Sequence, residues 1–318
     1  MDRSTVVARL RQAGCVFAEE EADILLAAAK DSCKHEATHS CAHEAASCHG
    51  APSELLGEFL ARRVAGEPLE QIVGWVEFAG QRIAVAPGVF VPRQRTALLA
   101  QQSILAVQAA KSAKSAEAAR VAEALKSAEA ANLGEAAKSV QVAKSANRGD
   151  KEVRFLEAFC GVGPVAATVS RAVPGTRIHL GDHDETALDC ARMNAGPQAH
   201  FDLLDCLTGL PETLTGGFDV ISAVPPYVPD SAAEFLPHEA VDYEAQTALF
   251  GGADGLDLIR RLICESCKWM APGGVVLIEL GSDQQHTAVE FATAKGFAVS
   301  SILGEDGQTV VLELRSRD

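Results

Sequence analysis

The residues best suited to chemistry stand behind an apolar run. The stretch "FDVISAV" (218–224) gives way to Pro225, Pro226 and Tyr227, followed by Val228 and Pro229. A proline pair has no N–H to offer a sheet ladder, so a strand must stop there and become a rigid corner. Such a corner fixes a backbone carbonyl and one flat aromatic ring in space. Val224, directly before it, has a side chain that can accept no hydrogen bond. A second group lies in "EAFCGVGPVA", where Gly161 and Gly163 fall at a strand-to-helix turn. Glycine there permits positive φ and close approach of a ligand to the backbone. Asp182 closes the next strand, placed to accept hydrogen bonds from a ribose diol. Asp202, following the third strand, could meet an adenine amino group. Glu157 precedes the glycines by one turn of chain and offers a carboxylate to a cationic or amino group.

The glycines alone leave alternatives. Gly161-x-Gly163-x-x-Ala166 followed by an acid is also a dinucleotide fingerprint, so NAD fits, and so does a tight turn without a ligand. Glu157 and a hairpin at the sheet edge favour an S-adenosylmethionine site over a pyrophosphate site.

The elements that must position these residues follow a strand–loop–helix rhythm from residue 153 onward. "VRFLEAF", "RIHLGD", "AHFDLLD", "FDVISAV" and "GGVVLIEL" read as strands, with helices such as "VAATVSRAV" and "ETALDCARMNA" between them. That alternation predicts a parallel, doubly wound sheet with ligands beyond the carboxyl ends of its strands. "AVSSILG" and "TVVLELR", joined by "EDGQ", predict an antiparallel edge hairpin. Residues 1–90 read as a small helical domain with Ser4 as first N-cap, closed by a β-hairpin within "QIVGWVEFAG" and "QRIAVAPGVFVPR". Residues 91–152 read as a linker carrying an Ala/Lys/Ser/Glu tract at roughly 107–149, in which "KS" recurs at 114, 126 and 138. Its alanines favour helix but supply no substantial apolar stripe.

Composition narrows the classes. With 43 acidic and 28 basic residues the net charge is −15, which argues against a binder of nucleic-acid backbones. No apolar run approaches membrane-span length and no leader is evident, so a soluble cytoplasmic chain is expected. Nine cysteines, an odd number partly inside apolar segments, suit free thiols.

Further along, the ordered pieces "RRVAGEPLEQIVGWVEFAG", "VFVPRQRT", "DHDETALDCARMN", "PPYVP", "YEAQTALFGGADGLD" and "APGGVVLIELGSDQ" resemble the HemK/PrmC-type release factor N5-glutamine methyltransferases. The resemblance covers most of 1–30, 51–106 and 151–318. It implies a class I methyltransferase fold, a Rossmann-like, mostly parallel seven-stranded sheet in 153–318. It implies S-adenosyl-L-methionine as cofactor, held by Glu157, Gly161, Gly163 and Asp182, with Asp202 near the adenine. The substrate implied is the glutamine of the Gly-Gly-Gln motif of peptide chain release factors, met by Arg93, Pro225, Pro226 and Tyr227. A monomer without membrane or nucleic-acid contact is expected. Val224 departs from the pattern, which has Asn there, and Phe159 stands where many relatives have glycine or a small residue. Reduced glutamine methylation or a shifted substrate follows as an expectation. A binding-only relative and a methyltransferase of nucleic-acid bases are the other readings.

Three remaining features read as structural. The tract "DSCKHEATHSCAHEAASCHG" (31–50) sets His35, His39 and His43 at helical spacing but lacks a zinc-ligand grammar, so no metal is expected. Cys264 and Cys267 form a CxxC inside an apolar helix, where packing explains them. The arginine pairs at 62–63 and 260–261 read as solvated helix faces.

Overall fold

The computed structural model describes residues 1–38, 52–130 and 152–317. Four helices open the chain: α1 (Arg3–Gln12), α2 (Ala18–Thr38), α3 (Pro52–Val64) and α4 (Leu69–Val73). The first is capped by Asp2, not Ser4: the Asp2 carboxylate accepts from the Thr5 N–H at 2.9 Å. A carboxylate suits that end because it also faces the positive pole of the helix dipole. Leu10, Leu25, Leu60 and Ile72 bury the shared face of this bundle in a core of its own. A hairpin follows, β1 (Trp75–Phe78) with β2 (Gln81–Ala84), turned by Ala79 and Gly80 at positive φ.

Next comes α5 (Ala97–Ala130), 34 residues long and beginning inside the stretch read as linker. Leu99, Ala100 and Val107 pack it onto the sheet core, and the Ser103 hydroxyl meets that of Ser222 at 3.0 Å. Beyond Val107 its side chains are mostly exposed, as the alanine-rich tract predicts. Residues 131–149 of the tract lie outside the described residues, as do His39, His43, Cys41 and Cys48 of the Cys/His segment.

The sheet comprises β3 (Arg154–Ala158), β4 (Arg177–Asp182), β5 (His200–Leu203), β6 (Phe218–Ala223), β7 (Met270–Gly281), β8 (Phe297–Leu303) and β9 (Thr309–Ser316). Its order is β5-β4-β3-β6-β7-β9-β8, parallel except for β9, which runs antiparallel to both neighbours. This is the class I methyltransferase topology, with the expected edge hairpin. Helices α6 (Pro164–Ala172) and α7 (Glu185–Ala195) cover one face together with α5, burying Phe155, Val165 and Leu188. Helices α9 (Asp257–Trp269) and α10 (Gln285–Ala294) cover the other over Leu156, Phe218 and Ile221. The short α8 (His238–Tyr243) belongs to the long β6–α9 connection.

Two expectations need correction. Cys264 and Cys267 are exposed, because the buried stripe of α9 runs through Ile259, Leu262, Ile263 and Ser266. Arg63 is buried, 8% exposed, and donates to both Glu21 oxygens at 2.6 and 3.1 Å and to Glu239 at 2.7 Å. It joins α3 to α2 and to α8; Arg62, its neighbour, pairs with Glu67.

His179, in the middle of β4, stacks on His200 at 4.6 Å and meets the Phe218 ring edge-on at 5.2 Å. Neither ring nitrogen has a hydrogen-bond partner among the described residues. Burial foremost, then His200, Arg154 and Arg177, hold its pKa down to about 4 against an ordinary 6.5. The unfolded chain therefore binds this proton more readily, so stability is complete above pH 6.5 and declines as pH falls toward 4. Urea titrations followed by circular dichroism should show the unfolding midpoint falling across that window. His179→Phe should flatten the fall; an unchanged pH dependence would place the acid sensitivity elsewhere.

Candidate functional site

The sheet register sets the site. Glu157, Ser222 and Leu277 stand side by side on β3, β6 and β7. Two residues further along, on the same face of the pleat, come Val224 after β6 and Glu279 on β7. A cavity of about 380 Å³ opens there, over the carboxyl ends of the strands. Glu157, Gly161, Asp182, Arg93, Val224, Pro225, Pro226 and Tyr227 all line it, so eight of the residues singled out in the sequence converge.

Asp202 does not join them. It pairs with Gly181 on β4, one residue out of phase with Asp182, and alternation along the strand turns it to the opposite face. It is half-buried, and burial raises its pKa.

At the nucleotide end the backbone of Gly161 and Gly163 is left-handed, with φ of 50° and 73°. A Cβ on Gly163 would sit 2.6 Å from the Leu180 side chain, so packing of α6 on β4 demands glycine. A Cβ on Gly161 would meet nothing within 4 Å: the space beside it is open and belongs to the cavity. Asp182 pins this loop, its Oδ2 accepting from the Gly161 N–H at 2.7 Å and its Oδ1 from the Asp184 N–H at 3.0 Å. Glu157, 2% exposed, accepts from the Val165 and Ala166 N–H groups at 3.2 and 2.6 Å. Both its oxygens thus serve the first turn of α6 rather than projecting freely as the expected handle for an amino group. Burial drives its pKa up to about 8 against the pull of those two amides. Phe159 adopts φ of 52°, a conformation costly for a residue with a Cβ, and contributes an aromatic side chain to the cavity wall.

The Pro-Pro-Tyr corner is held by the loop within "YEAQTALFGGADGLD", a piece that carried the resemblance but was given no role. The Tyr227 carbonyl accepts from the Gln284 side chain at 2.8 Å. Val228 donates to Leu249 at 3.0 Å and accepts from Gly251 at 2.9 Å. A Cβ on Gly251 would lie 2.4 Å from the Pro226 carbonyl, and one on Gly255 2.1 Å from that of Tyr227. The glycines of "FGGADGLD" are therefore the seat of the corner. The Tyr227 hydroxyl donates to Glu279 at 3.3 Å, and the Arg95 guanidinium stands 5.8 Å from its ring centroid. Burial, then the Glu279 charge, push the phenol up to about 12.

Arg93 is engaged rather than free. It pairs with Glu244 at 2.6 Å and lies 4.7 Å over the Phe90 ring. Glu244 also accepts from the Val91 N–H at 3.2 Å, so the pair braces the wall of the cavity. Leu236, Pro237, Glu239 and Ala240 complete the wall from the α8 connection. The N-terminal helices hold that connection: Glu239 binds Arg63, Tyr243 donates to the Ala65 carbonyl at 3.1 Å, and Gln71 donates to the Tyr243 carbonyl at 3.2 Å.

The glycine seat makes a stability prediction. Gly74 and Gly255 both have positive φ, but only Gly255 faces a carbonyl where its Cβ would go. Gly74→Ala should cost about 1–2 kcal/mol for the left-handed backbone alone. Gly255→Ala should cost about 1–3 kcal/mol more for the forced displacement. Equal losses in urea titrations would show that the seat is not tightly packed.

No family model matches the chain. Among curated proteins it is 31% identical over 228 residues to a release factor glutamine methyltransferase of Streptomyces coelicolor, covering 71% of this chain and 67% of that protein. Another of that name, from Bradyrhizobium diazoefficiens, is 27% identical over 302 residues, covering 93% and 87%. The 4-amino-L-phenylalanine/4-methylamino-L-phenylalanine methyltransferase of Streptomyces pristinaespiralis is 28% identical over 239 residues, covering 75% and 69%. With the 31% identical relative covered to two thirds, the second matching 93% of the chain, and glycine loop, Asp182 and Pro-Pro-Tyr corner gathered at one cavity, the chain belongs to the release factor glutamine methyltransferase family.

Proposed function

We propose that this chain transfers a methyl group to the side-chain amide nitrogen of glutamine in the Gly-Gly-Gln motif of peptide chain release factors. S-adenosylmethionine is the cofactor, and the open space beside Gly161, bounded by Asp182, is the observation that carries its fit. A residue with a Cβ there would fill the cradle. Asp182 is the group that would hold the ribose diol. When bound, the cofactor supplies a methyl group already activated on sulfonium sulfur.

The chain's own residues then have an orienting task. An amide nitrogen is a poor nucleophile because its lone pair is delocalised into the carbonyl. Fixing it in line accounts for much of the acceleration. The Pro225 carbonyl, freed from the ladder by the proline pair, accepts one amide hydrogen. The Tyr227 ring offers a flat surface to the planar amide, and the glycine seat keeps both in place. The apolar Val224 gives the second amide hydrogen no acceptor at its own position, which lowers the rate of transfer.

The N-terminal bundle, residues 1–90, seats the release factor; its ties through Arg63, Gln71 and Ala65 to the cavity wall support this role. On this reading the protein acts as a monomer in the cytoplasm without nucleic-acid contact. Its net charge of −15 supports the last point, and among the described residues no helix is long and apolar enough to cross a membrane.

Radiolabelled methyl transfer to a release factor tests the reading directly. The wild type should transfer, and Val224→Asn should raise kcat by less than the roughly 10²–10³ that one such hydrogen bond can be worth. Cofactor binding without transfer to the release factor would make the chain a binding-only relative. An unchanged rate in Val224→Asn would exonerate the valine.

A further inference from the structure

The cavity contains a carboxylate that the reading above leaves unused. Glu279 is 1% exposed, lines the cavity as Val224 does, and follows Ile278, the β7 partner of Ala223, just as Val224 follows Ala223. Adjacent strands are about 4.8 Å apart, so the two positions look onto the same small volume. The Glu279 Oε1 accepts from the Tyr227 hydroxyl at 3.3 Å. Its Oε2 is buried with no hydrogen-bond partner among the described residues. A buried oxygen left without a donor costs free energy, and such groups cluster where a ligand completes them.

Resting on the proposed glutamine methylation, we propose that Glu279 is a catalytic residue, whose Oε2 accepts the second N–H of the substrate amide in place of the side chain missing at 224. The Pro225 carbonyl takes one amide hydrogen and Glu279 the other, so the nitrogen is held from both sides. As the N–CH3 bond forms and the methyl–sulfur bond breaks, leaving S-adenosylhomocysteine, positive charge grows on nitrogen. The Glu279 carboxylate stabilises that charge and takes up the N–H proton that the nitrogen gives up, passing it on to solvent. Tyr227 contributes twice: its ring faces the amide and its hydroxyl fixes the carboxylate orientation.

Only the ionised carboxylate can act as this acceptor. Burial raises the Glu279 pKa, while the Thr96 hydroxyl, the Arg95 guanidinium at 3.9 Å and the Tyr227 hydroxyl pull it down and Asp306 pushes it up. The acceptor is therefore lost as pH falls through a value above the ordinary carboxylate range, and kcat falls with it.

The test uses Glu279→Gln and Glu279→Met in the full chain, each also combined with Val224→Asn. In Glu279→Gln the Tyr227 hydroxyl keeps the amide oxygen, so the NH2 group takes the Oε2 place and opposes the substrate N–H. Both single variants should lose about 10²-fold in kcat, with KM for the release factor changed far less. Calorimetry should give wild-type affinity for S-adenosylhomocysteine, which also reports that they fold. Their acid limb in the kcat–pH profile should disappear. Val224→Asn should rescue both, so that the Glu279 change costs much less in its presence. With an active wild type, unaltered kcat in Glu279→Gln and Glu279→Met overturns the proposal and leaves the glutamine reading standing. So does an equal loss with and without Val224→Asn. A wild type that neither methylates release factor nor binds a Gly-Gly-Gln peptide by calorimetry in the presence of S-adenosylhomocysteine overturns both.

Discussion

Pro226 and Tyr227 carry carbonyls to which no strand N–H donates, because the chain has left the ladder at a proline pair. Their placement against Gly251, Gly255 and Gln284 is the constraint on which the rest of the site depends. A buried carbonyl must be satisfied or pressed against something that does not repel it. Here Gln284 does the first and two side-chain-free positions do the second. The result is a corner set by close backbone packing against Gly251 and Gly255 and by the Gln284 amide, with the Tyr227 hydroxyl tied to Glu279.

Charge is managed around that corner in a consistent way. Every carboxylate on the wall with a partner uses it to fix a loop: Glu157 holds the start of α6, Asp182 the glycine loop, Glu244 the segment around Arg93, and Glu239 the α8 connection. Glu279 differs in having one oxygen tied to Tyr227 and the other buried without a hydrogen-bond partner among the described residues. Glu157, although engaged, is also pushed up to about 8 by burial, so more than one buried carboxyl on this wall titrates above the ordinary range.

Much of this was legible in the sequence because it rests on local chemistry. Gly161 and Gly163 announced a left-handed turn, the proline pair announced the end of a strand, and the β/α rhythm announced the sheet. What the sequence hid depends on register and long-range packing. Asp202 looked like a partner of Asp182, but one residue of phase on the pleat turns it away. Arg63 looked like half of a solvated pair, yet its own face of α3 points inward while that of Arg62 does not. Cys264 and Cys267 matched an apolar periodicity whose true stripe lies one residue aside. Glu279 was invisible for another reason: its significance comes from Val224, which is adjacent only across strands.

The Arg63 cluster bears on how such a protein can be recombined. Glu21, Arg63 and Glu239 come from three separate stretches of chain but share one buried guanidinium. Removing one partner from a buried ion pair strands the remaining charge, which typically costs about 3–5 kcal/mol. A helical bundle grafted from a relative would therefore bring its own answer to position 63 and meet the host's residue at 239. The two halves of the molecule behave less like interchangeable modules than like a lock with its key cast in place.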